Sequence, residues 1–239
     1  MSETVEIGGL SFEIRRSDRR KTVVLTVDRA AELILHAPTD IPVEHLARWT
    51  ESKLLWVHRK LAIKRELEAK VRSPEYVTGE SFSYLGKRYR LKIVLNQDAP
   101  LRFGGGFTLR ADARASAMEH FRRWYSDAGR VWAQQRVRAV SPRVGAMPAG
   151  LQVRDIGYRW GSCTAKGVIQ IQINWKMLQL PVRLADYVIA HELAHLVERH
   201  HGPAFWALLR RAMPDWEERQ GELKRKAAEI YWCHAGMMD

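Results

Sequence analysis

The 239-residue chain holds only two cysteines, Cys163 and Cys233, so it has neither a disulfide framework nor a CxxC thiolate zinc knuckle. Long apolar runs are missing too. The longest stretch without a charged side chain, Val144 to Val153, is about half of the roughly 20 apolar residues a membrane helix requires, so no membrane span is expected. Met1 to Leu10 carries acids where a secretory signal would place basic residues and an apolar core, which leads to the expectation of a cytoplasmic protein. Acidic residues are in deficit overall. There are 39 Lys and Arg against 27 Asp and Glu, a net charge of +12 that favours acidic partners and says nothing about fold. With 46% hydrophobic and 28% charged residues, wholesale disorder and fibrous repeats are excluded as well.

What is present reads as α+β. The segments TVEI, LSFEI, KTVVLTV and AELILHA, with a turn at Gly8-Gly9, predict a small N-terminal antiparallel sheet. Thr39-Asp40 before Pro42 opens a helical pattern through Leu46, Leu54, Val57 and Leu61 that predicts one long helix ending at Ser73-Pro74. Two hairpins are then expected, SFSYL with RYRLKIVL and LRF with FTLR, turning at Gly86-Lys87 and Gly104-Gly106. Residues 112–140 predict a helix, continuous or broken at Gly129, and 141–150, with two Pro and two Gly, a loop. The boundary is placed between a β-rich and helical part, 1–111, and a second part, 112–239, with one continuous unit as the alternative.

Most of the positive charge lies in the middle of the chain. Residues 76–150 hold 13 basic and 5 acidic residues, +8, while the segments before and after hold +2 each. Between 114 and 138, Arg114, Arg122, Arg123, Arg130, Arg136 and Arg138 alternate with Trp124, Tyr125 and Trp132. Two readings fit this string. It suits a surface that tracks phosphates and stacks on bases, and equally an amphipathic helix that buries its rings and solvates its arginines.

Four of the nine histidines fall in HELAHLVERHH, residues 191–201. His191 and His195 are four apart on a helical pattern opened by Pro181 and ended by Gly202-Pro203. One face then carries both imidazoles about 6 Å apart, which suits a shared divalent cation. Glu192, rotated by about 100° from His191, does not share their position but can reach a water on the same ion, as a general base would. With 9 His and 17 Glu in the chain, HExxH arises by chance about 0.02 times. Neutral imidazoles with one open position favour Zn2+, one catalytic ion.

A catalytic zinc needs a third protein ligand, and Glu198, His200 and His201 are near. Glu198 returns to within about 20° of His191 but sits roughly 4.5 Å beyond His195 along the axis. If the helix stops near Glu198 or Arg199, the chain can fold back and bring His201 under the metal, with Gly202-Pro203 starting a new helix. His201 is therefore preferred, Glu198 is the alternative, and His200 points elsewhere.

Residues 154–216 resemble the YgjP-like zinc metallopeptidases, related to the SprT-like and WLM-type proteases among the zincins. Carrying the resemblance are Arg159-Trp160-Gly161-Ser162-Cys163, Asn174, Asp186-Tyr187-Val188, HELAHL, His201 and Phe205-Trp206, with weaker similarity in RRSDRRK, KLLWVHRK and GESFSYLGKRYRL. The resemblance implies a zincin-like second half, His191, His195 and His201 as metal ligands, Glu192 as the catalytic carboxylate, and a protein or peptide substrate. The interval from His195 to His201 is similar to that of metzincins, but Glu198 stands where those enzymes have a turn glycine, which argues against that group. In a zincin-like fold, Val168–Trp175 would be the sheet edge that an extended substrate joins. Tyr158, Arg159 and Tyr231 are candidates to stabilise an oxyanion. Cys163 reads as a zinc thiolate or a strand-packing cysteine, and Met213-Pro214 as a methionine turn or a plain helix end. Two alternatives stand beside hydrolysis: a nucleic-acid-binding protein with structural zinc, and a SprT-like protease acting on DNA-associated proteins. No oligomeric state follows from the residues.

Overall fold

The computed structural model describes residues 3–28, 31–68, 73–157, 159–164, 167–227 and 229–233, without the side chains of 64, 67 and 68. Its backbone falls into two compact units, Met1–Lys70 and Val71–Cys233. The hairpins placed before the 111/112 boundary in the sequence reading lie in the second unit. Among the described residues, six helices and three sheets give a mixed α and β protein, and no helix is long and apolar enough to cross a membrane.

In the first unit, β1 (Glu3–Ile7), β2 (Leu10–Arg16), β3 (Val24–Val27) and β4 (Leu33–Ala37) form one sheet in the order β1-β2-β4-β3. It is mixed rather than antiparallel, because β2 and β4 run parallel with Glu13 opposite Ile34. Alternation buries Phe12 and Ile14 of β2, and with Leu33 and Leu35 they make a core closed by Leu46 and Val57. Those last two come from two helices, not one. After α1 (Val43–Glu51) the chain turns, with the Ser52 hydroxyl donating to the Trp49 carbonyl at 2.7 Å and the Lys53 N–H to Thr50 at 2.8 Å, before α2 (Leu54–Glu68) begins. A hydroxyl that bonds back to its own turn competes with the helical ladder, and hydrophobic spacing does not register it.

In the second unit both expected hairpins form, β5 (Ser81–Tyr84) with β6 (Lys87–Val94) and β7 (Leu101–Phe103) with β8 (Phe107–Arg110). Parallel pairing of β6 with β8 joins them in the order β5-β6-β8-β7. Phe82, Phe107, Phe121 and Tyr125 stack beneath this sheet as a fully buried aromatic core, and the Tyr125 hydroxyl donates to the Ser83 carbonyl at 2.5 Å. Phe121 and Tyr125 belong to α3 (Ala117–Val144), which runs unbroken through Gly129. A Cβ on Gly129 would lie 2.8 Å from Leu178 Cδ2 and 3.2 Å from Val153 Cγ1, so this glycine marks a close crossing and not a break. The helix also absorbs the start of the expected loop. Pro142 sits in its last turn, and Gly145, with φ of 77°, closes it by donating to Ser141.

The third sheet, β10-β11-β9, contains β9 (Leu151–Arg154), β10 (Gly161–Cys163) and β11 (Ile171–Asn174), followed by a 3-10 turn at Trp175–Gln179. Its order overturns one expectation: β11 lies in the centre, parallel to β9 and antiparallel to β10, so the edge strands are β10 and β9. Ile171, Ile173 and Asn174 are buried accordingly. Beyond the turn come α4 (Val182–Val197), α5 (Pro203–Ala212) and α6 (Trp216–Ala227). Arg136 of α3 grips Asp186 of α4 through two bonds, Nε to Oδ1 at 2.8 Å and Nη2 to Oδ2 at 2.5 Å. Asp186 is only 13% exposed, so Arg136→Ala leaves a largely desolvated carboxylate unpaired and is expected to cost about 2–3 kcal/mol in urea unfolding.

Candidate metal centre

α4 forms because apolar residues recur on its inner side, and Leu184, Ala185, Val188, Ile189 and Leu193 are all buried. His191, Glu192 and His195 lie in its last two turns. The helix ends before the Gly202-Pro203 stop, at the place that lets the chain fold back: Glu198 is extended, with φ of −121° and ψ of 108°, and α5 opens with Pro203 at its first position. The link between them carries His201 back to α4. Ligand atoms of His191, His195 and His201 lie within 4.8 Å of one another.

The protonation pattern suits a cation. His195 Nδ1 is 3.1 Å from the Glu198 carbonyl, which can only accept, so Nδ1 donates there and Nε2 is the nitrogen remaining to bind a cation. His191 and His201 face each other through Nε2 atoms 3.1 Å apart. Two bonds of 2.0–2.1 Å at a tetrahedral angle would set such nitrogens about 3.3–3.4 Å apart, so the residues present fit a zinc ion. Burial pushes His191 down to about 3, helped by the charges His195 and His201 would carry, and burial with His195 lowers His201. Those two imidazoles are therefore held in the neutral, ligating form. Glu198 enters through its backbone oxygen, and His200 is exposed outside the group.

Glu192 is 7% exposed, and burial pushes its carboxyl up to about 8, with nearby Arg159 drawing it partly back. It packs against β10 at Gly161, where a Cβ would lie 2.5 Å from both Glu192 Cγ and Oε1. Asn174, fully buried at the end of β11, sets the chain leading into β10: its Nδ2 donates to the carbonyls of Gly157 at 3.1 Å and Arg159 at 2.8 Å, and its N–H to Trp160 at 2.8 Å. Phe205 lies beneath all three imidazoles, with ring centroids 4.6–5.0 Å away. Gly161 and Phe205 were given no role from sequence. Their signal was proximity to the HExxH segment in space, which spacing along the chain does not carry.

The remaining candidates divide. Cys163 is on β10, outside the histidine group, and burial with Glu192 pushes its thiol up to about 11. Tyr231 packs against Phe82 and Trp232 in the aromatic core, and Tyr158 is outside the described residues. Met213 is buried at the end of α5, its N–H closing on Leu209, as a plain helix end requires. Along α3, Tyr125 is fully buried and Trp124 packs on Tyr84, Phe103 and Phe107. Arg122 pairs with Glu119, Arg130 with Asp127 and Arg136 with Asp186, and Arg114 donates to the Glu75 carbonyl. These two rings therefore serve the core.

His191, His195 and His201 thus gather beside the buried carboxyl of Glu192, a set that could hold a metal ion, and comparison with known proteins gives the class. The family model described as YgjP-like, metallopeptidase domain, matches residues 21–226. The chain belongs to the YgjP-like family and carries its metallopeptidase domain. Among curated proteins no match was found. Among solved structures, the metallopeptidase zymogen abylysin of Pyrococcus abyssi aligns over 41% of this chain and 96% of its own, at 19% identity and a TM-score of 0.37.

Proposed function

We propose that the chain is a zinc-dependent peptidase in which His191, His195 and His201 hold one zinc ion and Glu192 is the general base. The observation that carries this reading is the convergence of the three imidazoles next to a buried carboxyl. Structural zinc sites are closed by four protein ligands, whereas the group among the described residues has three, which favours the catalytic role. Zinc bound there would supply a Lewis acid that acidifies water and polarises the scissile carbonyl.

Glu192 contributes the proton chemistry. Burial alone pushes its carboxyl towards the protonated form, a cation bound beside it would favour the ionised form, and the carboxylate would then take a proton from the attacking water and return it to the departing amine. Burial among α4 and β10 excludes bulk water from that exchange, and Gly161 leaves room for the carboxylate. β10 is an edge strand of its sheet, the kind of position that an extended peptide joins as an added strand. The substrate would then run past Glu192.

The purified chain is expected to hold one zinc per molecule, to cleave an unfolded protein substrate, to lose that activity to a chelator and to regain it with added zinc. Wild-type protein that binds no zinc under these conditions would refute the reading.

A further inference from the structure

We propose that Trp206 is a positioning residue that holds His201 in ligand geometry, backed by Trp216; this rests on the metal-site reading above. The three imidazoles are not equally secured. Those of His191 and His195 stand on α4, whose ladder fixes their backbone, while His201 is exposed and lies in the irregular link between Val197 and Pro203. Nothing regular fixes its φ and ψ.

Trp206 supplies what the link lacks. Its indole stacks on the His201 imidazole, centroids 5.4 Å apart and planes 23° from parallel, and its Nε1 donates to the His201 carbonyl at 3.0 Å. One side chain therefore holds both the ring and the backbone of the same residue. Trp206 is itself anchored in the first turn of α5, where its N–H donates to the Gly202 carbonyl at 3.2 Å. Trp216, at the start of α6, stacks on Trp206 with centroids 4.5 Å apart and planes 22° from parallel. Trp216 is buried and its Nε1 meets no acceptor among the described residues, so it contributes a ring face and no hydrogen bond. Phe205 meets His201 edge-on at 85°, closing another side. A ligand ring ordered before the ion arrives loses less freedom on binding, and such supporting contacts are worth 10–100-fold in metal affinity.

The test is zinc affinity of the full chain, stripped and then titrated against a chromophoric chelator, with the visible spectrum of the Co2+-loaded protein as a second readout. Trp206→Leu is expected to weaken zinc about 10–100-fold and to alter the cobalt bands, while Trp206→Phe, which restores a stacking face without the N–H, recovers part of the loss. Because the brace acts through His201, Trp206→Phe should weaken zinc in the wild-type background and cost nothing further beside His201→Ala, a comparison that holds even if Trp206→Leu does not fold. Wild-type zinc affinity and cobalt spectrum in folded Trp206→Leu, or an equal loss from Trp206→Phe in both backgrounds, would overturn the brace and leave the metal reading standing. Wild-type protein that takes up no zinc would overturn both.

Discussion

Glu192→Gln is expected to keep its zinc and lose peptide hydrolysis by about 10²–10⁴-fold, the range that general-base catalysis supplies. Glutamine matches glutamate in shape and leaves His191, His195 and His201 untouched, but its amide oxygen cannot take and return a proton at neutral pH. Metal content measured beside turnover separates the two roles. Zinc retained with activity gone places Glu192 in the chemistry. Zinc retained with full turnover removes it from the mechanism, and zinc lost shows that the carboxylate helps to hold the ion instead.

Gly161→Ala should be nearly as damaging to turnover while sparing the metal. The added methyl would stand 2.5 Å from Glu192 Cγ and Oε1 and 2.7 Å from Cδ, so the carboxylate or β10 has to move. Glu192 is only 7% exposed and has little space to yield. A displacement of about 1 Å at a reacting group costs roughly 10²-fold in rate. The loss should fall mainly on kcat, with zinc stoichiometry unchanged. An alanine variant with wild-type kcat would show that the carboxylate's approach to β10 is incidental.

The clustering of three histidines was legible in the sequence because they lie within eleven consecutive residues and a regular helix converts the first interval into geometry. A stop near Glu198 or Arg199 was the condition for His201 to join them, since an uninterrupted helix would carry it off the face, and the helix does end there. What surrounds the ion was not legible. Gly161 lies 31 positions before Glu192, and its part in the site depends on β10 lying against α4, a tertiary fact that no local pattern encodes. The central place of β11 has a similar origin: alternating Ile and Gln mark a strand but do not rank it within a sheet. The helical pattern is interrupted at Ser52, whose hydroxyl bonds back to Trp49, and runs on through Gly129, where Leu178 and Val153 approach the backbone closely.

Glu192 shares α4 with His191 and His195, but its side chain packs against β10 at Gly161 while His201 comes from the link after α4, which would let two properties of the proposed site vary in part separately. Changes along 157–163 would retune the acidity and aim of the base without disturbing affinity for the ion, and changes along 198–206 would do the reverse. On the proposed reading, a lineage could thus adjust how fast it cuts and how tightly it competes for scarce metal by substitutions in different stretches of chain.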